Sequence, residues 1–254
     1  MLEANRTVPM SENTQDSQEF YNDYFSEDWK LTYDNEQRYE IIFQLIDNLP
    51  LSSNSRVIDI GAGSGRITNH LHSAFDEVVS LDITMNDLLE KVIEETDTAC
   101  AIGALPHLPF ADGTFDLIVC SEVLEHIPDR ETQYACVNSF ECVLSKGGYA
   151  VISTPNPRSP YPILKNGVQS VATRFGLSEQ SGEGQLVENW IPPSHLHEEI
   201  KKHFDIRVRC GSYYNFPDFG TGAGKIFRPL SDLLTDLNIV PSYGLYQYYV
   251  GQAN

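Results

Sequence analysis

The chain has 254 residues, 41% of them hydrophobic, and its 17 basic against 36 acidic side chains give a formal net charge of −19. Such a field repels phosphate backbones, which excludes nucleic acid as a substrate. The length suits a single domain, 1–254, with a full-sized core. The five cysteines (Cys100, Cys120, Cys136, Cys142, Cys210) show no Cys-x-x-Cys spacing and read as reduced thiols. The polar, acidic N-terminus lacks a secretory pattern, and no apolar run approaches the ~20 residues of a membrane span. A cytoplasmic protein is expected, peripheral to a membrane at most.

In chain order, residues 1–16 are polar and aperiodic and are expected to fray. Two N-terminal helices follow within 17–50. The first carries Phe20, Tyr21, Tyr24, Phe25 and Trp29 at helical spacing, and the second runs from about Asn35 to Asn48. Strands are expected at 56–60, 77–81, 99–102, 115–120, 147–153, 205–213 and 244–251, with helices at about 65–75, 85–96, 130–144 and 194–203 between them. This alternation predicts an α/β fold with a doubly wound, mostly parallel seven-stranded sheet. Residues 155–193, rich in proline and glycine, are expected to form a lid insertion, and 213–225 a second irregular stretch. Both would overhang the carboxyl ends of the strands, where open sheets of this kind place ligands.

The stretch Val57-Ile-Asp-Ile-Gly-Ala-Gly-Ser-Gly-Arg-Ile-Thr68 is the most informative. A buried strand runs into Gly61, Gly63 and Gly65, which let the backbone turn sharply and approach a ligand. A second strand ends in Asp82, placed to accept both hydroxyls of a ribose. The combination predicts a nucleoside cofactor. A dinucleotide site wants glycine at the sixth motif position, but Arg66 stands there counting from Gly61 and Thr68 counting from Gly63. That opposes a nicotinamide oxidoreductase.

Gly-x-Gly-x-Gly preceded by Asp59 resembles the first motif of class I S-adenosylmethionine-dependent methyltransferases. Gly103–Asp129, with Leu-Pro-Phe, Phe-Asp and Leu-Glu-His runs, resembles their middle segment. Gly147-Gly148 through Thr154-Pro-Asn156 resembles the turn, fifth strand and exit that follow. The likeness covers roughly residues 36–155. It implies a Rossmann-like methyltransferase fold and S-adenosylmethionine as cofactor. Residue by residue, it implies that the methionine end lies near the glycine loop, Asp59 and Arg38. Asp82 would hold the ribose and Ile83 would lie against the adenine face, with Leu105 and Ser121 also among the cofactor-binding residues. The family often has Asp before Leu-Pro-Phe to receive the adenine amino group, and here Ala104 stands there.

Glu122, Glu125 and His126 are expected on one face of a helix. They resemble the metal-binding Glu-x-x-Glu-His of ubiquinone-pathway O-methyltransferases, which would imply Mg²⁺. They equally resemble metal-independent methyltransferases, in which the same run is structural. A hydroxyl acceptor needs a proton acceptor, for which His126 and His195 are candidates, with Ser194 as N-cap of the helix carrying His195 and His197. Asn156 and Tyr161 are placed either to line an acceptor pocket or to shape the loop. The Asn/Asp-Pro-Pro-aromatic signature of many amino-group methyltransferases is absent after strand four, so oxygen is expected to receive the methyl group. The acceptor would be small or lipid-carried: first a saccharide such as a hexuronic acid carboxylate of a surface glycan, alternatively a quinone-precursor phenol. A catalytically silent, methyltransferase-like binding protein is the alternative from another class.

Overall fold

The computed structural model describes residues 18–22, 24–25, 33–159, 188–212 and 243–254, with the side chains of 33–35 left aside. The expected tail 1–16, Trp29, Tyr161, the interior of the insertion and the stretch from 213 lie outside the described residues.

Strands β1 (Arg56–Ile60), β2 (Glu77–Asp82), β3 (Ala99–Ile102), β4 (Phe115–Ser121), β5 (Leu144–Pro155), β6 (Phe204–Ser212) and β7 (Tyr246–Ala253) form one seven-stranded sheet. Its order is β3-β2-β1-β4-β5-β7-β6. Neighbours from β3 to β5 pair in parallel, whereas β7 runs antiparallel to both β5 and β6. Helices α1 (Tyr33–Asp47), α2 (Arg66–Ala74), α3 (Asp87–Thr96), α4 (Arg130–Val143) and α5 (Pro193–His203) complete the described regular structure, with a helical segment over 18–22.

Strand periodicity divides the core between the two faces of the sheet. Val57, Val119, Val151 and Val250 meet Ile42 and Ile46 of α1 and Leu71 of α2 on one face. Ile58, Ile60, Ile118 and Ile152 meet Val137 and Phe140 of α4 and Leu196 and Ile200 of α5 on the other. Helices thus lie on both faces, which is the doubly wound arrangement expected from the alternation.

Most boundaries shift by one to three residues, and three departures from expectation bear on the site. Strand β7 starts at Tyr246 rather than 244; just before it, the Gly244 and Leu245 carbonyls accept from the Asn156 side-chain amide and backbone N–H, each at 2.8 Å. Helix α5 has Pro192 as N-cap and Pro193 at its first position, so Ser194 is not the cap. Proline lacks only an N–H that a first turn leaves unpaired in any case. No helix holds Glu122, Glu125 and His126. Glu122 is left-handed (φ 57), and a 3-10 turn spans Leu124–His126. The Glu122 N–H donates to the Ser153 carbonyl of β5, and Pro128 forces the residue before it out of the helical region; Ile127 is extended.

Candidate functional site: a nucleoside cleft with a buried acid pair

The turn from β1 into α2 explains its glycines. Gly61 has φ +74, and a Cβ there would lie 2.2 Å from a Val123 methyl. Gly65 opens α2 at φ +73, where a Cβ would come 2.9 Å from Val92. Neither position admits a side chain. The loop is held from below, since the Gly61 and Ala62 N–H groups donate to the Leu81 carbonyl at 2.7 and 3.2 Å. Asp82 accepts from Gly63 N–H at 2.8 Å and from Thr84 N–H at 3.2 Å. Burial pushes the Asp82 carboxyl up, while those backbone donors oppose the shift. Asp59, under the loop, accepts from the Thr68 hydroxyl at 2.7 Å, and burial pushes it up to about 7.

Asn86 was not singled out from the sequence, yet it ties the cleft together. Its side-chain oxygen caps α3 by accepting from Leu88 and Leu89 N–H at 3.1 and 3.0 Å. Its amide donates to the Gly63 carbonyl at 2.7 Å. The signal was present, for an Asn preceding a helix start with Asp87 and Glu90 in its first turn marks an N-cap.

At the exit of β4 lies a buried acidic group. Glu122 faces the Arg38 guanidinium at 3.7 Å and accepts from the Ser153 hydroxyl at 2.9 Å. Ser153 is in turn 2.9 Å from the Ser121 hydroxyl. Glu125 accepts from the Thr154 hydroxyl at 3.2 Å and is 3% exposed. Burial and the Glu125 carboxylate push Glu122 up to about 8, with Arg38 opposing. Burial pushes Glu125 up to about 7. Arg38 stacks over Tyr39 and Tyr246 at 4.9 and 5.7 Å from their ring centres, which holds its guanidinium beside the acids.

The N-terminal aromatic segment covers this cleft. The Gln18 amide donates to the Ile83 carbonyl at 2.5 Å. The Phe25 ring rests 3.0 Å from where a Gly63 Cβ would be. Tyr21 meets the His126 ring edge-on at 5.7 Å.

A family profile described as a methyltransferase domain matches residues 34–203, more than half of the chain. The chain belongs to the class I S-adenosylmethionine-dependent methyltransferases. A protein of Methanocaldococcus jannaschii is 29% identical over 147 residues, 56% of this chain and 61% of the relative. A ubiquinone biosynthesis O-methyltransferase of Hydrogenovibrio crunogenus is 27% identical over 206 residues, 77% of this chain and 74% of that enzyme. Among solved structures, the N-methyltransferase NodS from Bradyrhizobium japonicum in complex with S-adenosylhomocysteine shares the fold. The TM-score is 0.60 at 13% identity, covering 93% of this chain and 98% of that one.

The cleft of this methyltransferase holds buried polar atoms of the kind a polar cofactor would complete. Arg38 Nε, Asp59 Oδ1, Ser64 Oγ and the Tyr21 hydroxyl are buried without a hydrogen-bond partner among the described residues. Ser64 lies in the glycine loop, Asp59 beneath it, and Arg38 and Tyr21 come from the N-terminal segments beside it. An unpaired buried polar atom costs about 1–3 kcal/mol, so four around one cleft suit a polar ligand. Asp82 would hold ribose hydroxyls, Arg38 a carboxylate, and the half-buried Ile83 the flat face of the adenine. Ala104 lends no side-chain acceptor, and its carbonyl takes the His107 N–H at 3.2 Å.

The remaining expected site residues separate. His126 lies at the cleft, against Tyr21 and 3.9 Å from Glu125. His195 is exposed on α5 and joins none of these groups in the contacts described. His197 packs against Tyr249, with ring centres 6.2 Å apart, and burial pushes it down. Ser194 accepts from Arg158 at 3.3 Å. Asn156 shapes the loop, since its amide donates to the Gly244 carbonyl at 2.8 Å and its oxygen accepts from Arg158 N–H at 2.9 Å. No three His, Cys, Asp or Glu among the described residues form a group able to hold a metal ion, Glu122, Glu125 and His126 included. Among the described residues no helix is long and apolar enough to cross a membrane.

Proposed function

We propose that this methyltransferase methylates a neutral hydroxyl of a small or lipid-carried acceptor, a phenol in the first instance. The observation that carries this reading is the buried pair Glu122 and Glu125 at the exit of β4. When bound, S-adenosylmethionine supplies an electrophilic methyl group. What the chain must add is alignment, exclusion of water and a place for the hydroxyl proton. Carboxyls held at about 8 and about 7 accept a proton near neutral pH far better than ordinary carboxylates. Arg38 opposes the charge of the ionised pair, and Ser153 and Thr154 fix the two carboxyls by hydrogen bonds.

A carboxylate acceptor, such as the hexuronic acid expected from the sequence, arrives ionised and gives the pair no proton to take, whereas a neutral hydroxyl does. The likeness to a ubiquinone biosynthesis O-methyltransferase over 77% of this chain supports a phenolic acceptor. No step is assigned to Mg²⁺, because Glu122, Glu125 and His126 do not come together as a group able to hold a metal ion.

The test uses methyl-labelled S-adenosylmethionine with catechol and, separately, glucuronic acid, followed by alkali. Label on catechol that survives alkali, as an ether does, is the expected result. Label only on glucuronic acid, released by alkali as from an ester, would restore the carboxylate acceptor.

A further inference from the structure

We infer that Tyr21, from the N-terminal segment, is a cofactor-binding residue whose hydroxyl hydrogen-bonds the bound S-adenosyl ligand. The inference rests on the reading that the cleft binds that ligand, and adds to it a residue from outside the sheet and its loops.

Three observations place Tyr21 there. Its segment is fastened across the cleft at two points, by Gln18 on the Ile83 carbonyl next to Asp82 and by Phe25 against Gly63 of the glycine loop. Between these anchors the Tyr21 ring is fixed by its neighbours: it stacks on Phe25 at 6.5 Å and meets Phe20, Tyr24 and His126 edge-on at 5.2, 6.4 and 5.7 Å. The hydroxyl itself is buried and has no hydrogen-bond partner among the described residues. The Glu125 and Asp82 carboxylates both disfavour its ionisation.

Burial and these carboxylates push the phenol further above its ordinary range. It therefore stays protonated at any working pH and serves as a donor. A tyrosine that only packed would be replaced by phenylalanine without loss, and an unpaired buried hydroxyl makes the free protein less stable than a ring without it. Such a group persists where a ligand completes its hydrogen bond. Function and free-protein stability then pull in opposite directions.

The test is Tyr21→Phe, read by calorimetric titration of S-adenosylhomocysteine and by the melting temperature of the free protein. The expected result is affinity weakened about tenfold, the loss of one hydrogen bond, with a melting temperature unchanged or raised. Unchanged affinity in the variant, with wild type binding normally, would overturn the role of Tyr21 and leave the cofactor reading intact. A lowered melting temperature with unchanged affinity would likewise overturn it, by showing that the hydroxyl is satisfied within the chain. No binding by wild type would instead contradict the cofactor reading itself.

Discussion

The two halves of the sheet solve different problems by different means. From β3 to β4 every pairing is parallel, and the cofactor cleft is made largely of backbone: three left-handed glycines, carbonyl contacts to Leu81, and one carboxylate at a strand end. From β5 to β6 the antiparallel β7 is inserted, and long-range side-chain hydrogen bonds hold the parts together. Gln247, 1% exposed, donates to the Ile191 carbonyl at 2.8 Å and reaches the Pro155 carbonyl at 3.5 Å, joining both ends of the insertion. Gln133, fully buried, donates to the carbonyls of Leu124 at 2.8 Å, Ile127 at 3.2 Å and Asn189 at 2.8 Å. Arg130 adds a bond to the Trp190 carbonyl at 3.1 Å, and Asn189 N–H donates to the Glu125 carbonyl at 2.7 Å. The returning end of the insertion is thereby latched to the turn that carries the acid pair.

Removing a latch residue should have the largest effect on stability in the second half. Gln133→Leu keeps the volume but removes the amide donor from the Ile127 and Asn189 carbonyls and one of two donors from the Leu124 carbonyl. Denaturant unfolding should show a loss of about 2–3 kcal/mol, while S-adenosylhomocysteine affinity stays within a factor of about three. A large loss of affinity would mean that the halves are not separable.

A smaller effect concerns pH. Glu122, Glu125 and Asp59 are raised by burial to about 8, about 7 and about 7, whereas in the unfolded chain they would ionise in the ordinary carboxylate range. Between those limits the native state binds more protons than the unfolded one. Their contribution to stability is therefore complete below the unfolded values and is lost as pH rises through the folded ones. The melting temperature of the free protein should fall between about pH 5 and pH 8, and Glu122→Gln should fall less steeply. Parallel curves for the two proteins would place Glu122 in the ordinary range. In turnover the sign reverses, because a carboxyl that takes the acceptor proton must first be ionised. Activity should accordingly climb with pH through the same window in wild type.

The smallest effect is expected at His195, exposed on α5. His195→Ala should change stability by less than about 0.5 kcal/mol and leave turnover of the labelled methyl unaltered. A strong loss of turnover would bring α5 into the catalytic cleft after all.

This contrast between the halves also explains what could be read in advance. The glycine loop and Asp82 are local demands: a left-handed backbone and a strand-end acid leave their mark on neighbouring residues. Strand alternation likewise announced the seven strands to within a few residues. Gln133 and Gln247 left no such mark, because each bonds a carbonyl 56 residues away and nothing in a buried glutamine's surroundings in sequence distinguishes it from an exposed one. The run Glu122–His126 misled for a related reason. Its spacing suits a helix, but the tie from Glu122 to Ser153 of a neighbouring strand and the coming Pro128 decide its backbone.

The central claim is that the parallel half binds an S-adenosyl ligand through Gly61–Gly65 and Asp82. Calorimetric titration of S-adenosylhomocysteine into wild type and Asp82→Ala addresses it most directly, with the dinucleotide NAD as the competing ligand. Wild type should bind S-adenosylhomocysteine in preference to NAD, and the variant should lose on the order of 2–4 kcal/mol of that affinity, as expected for two charge-assisted hydrogen bonds. Equal affinity in both proteins, or preference for NAD, would contradict it.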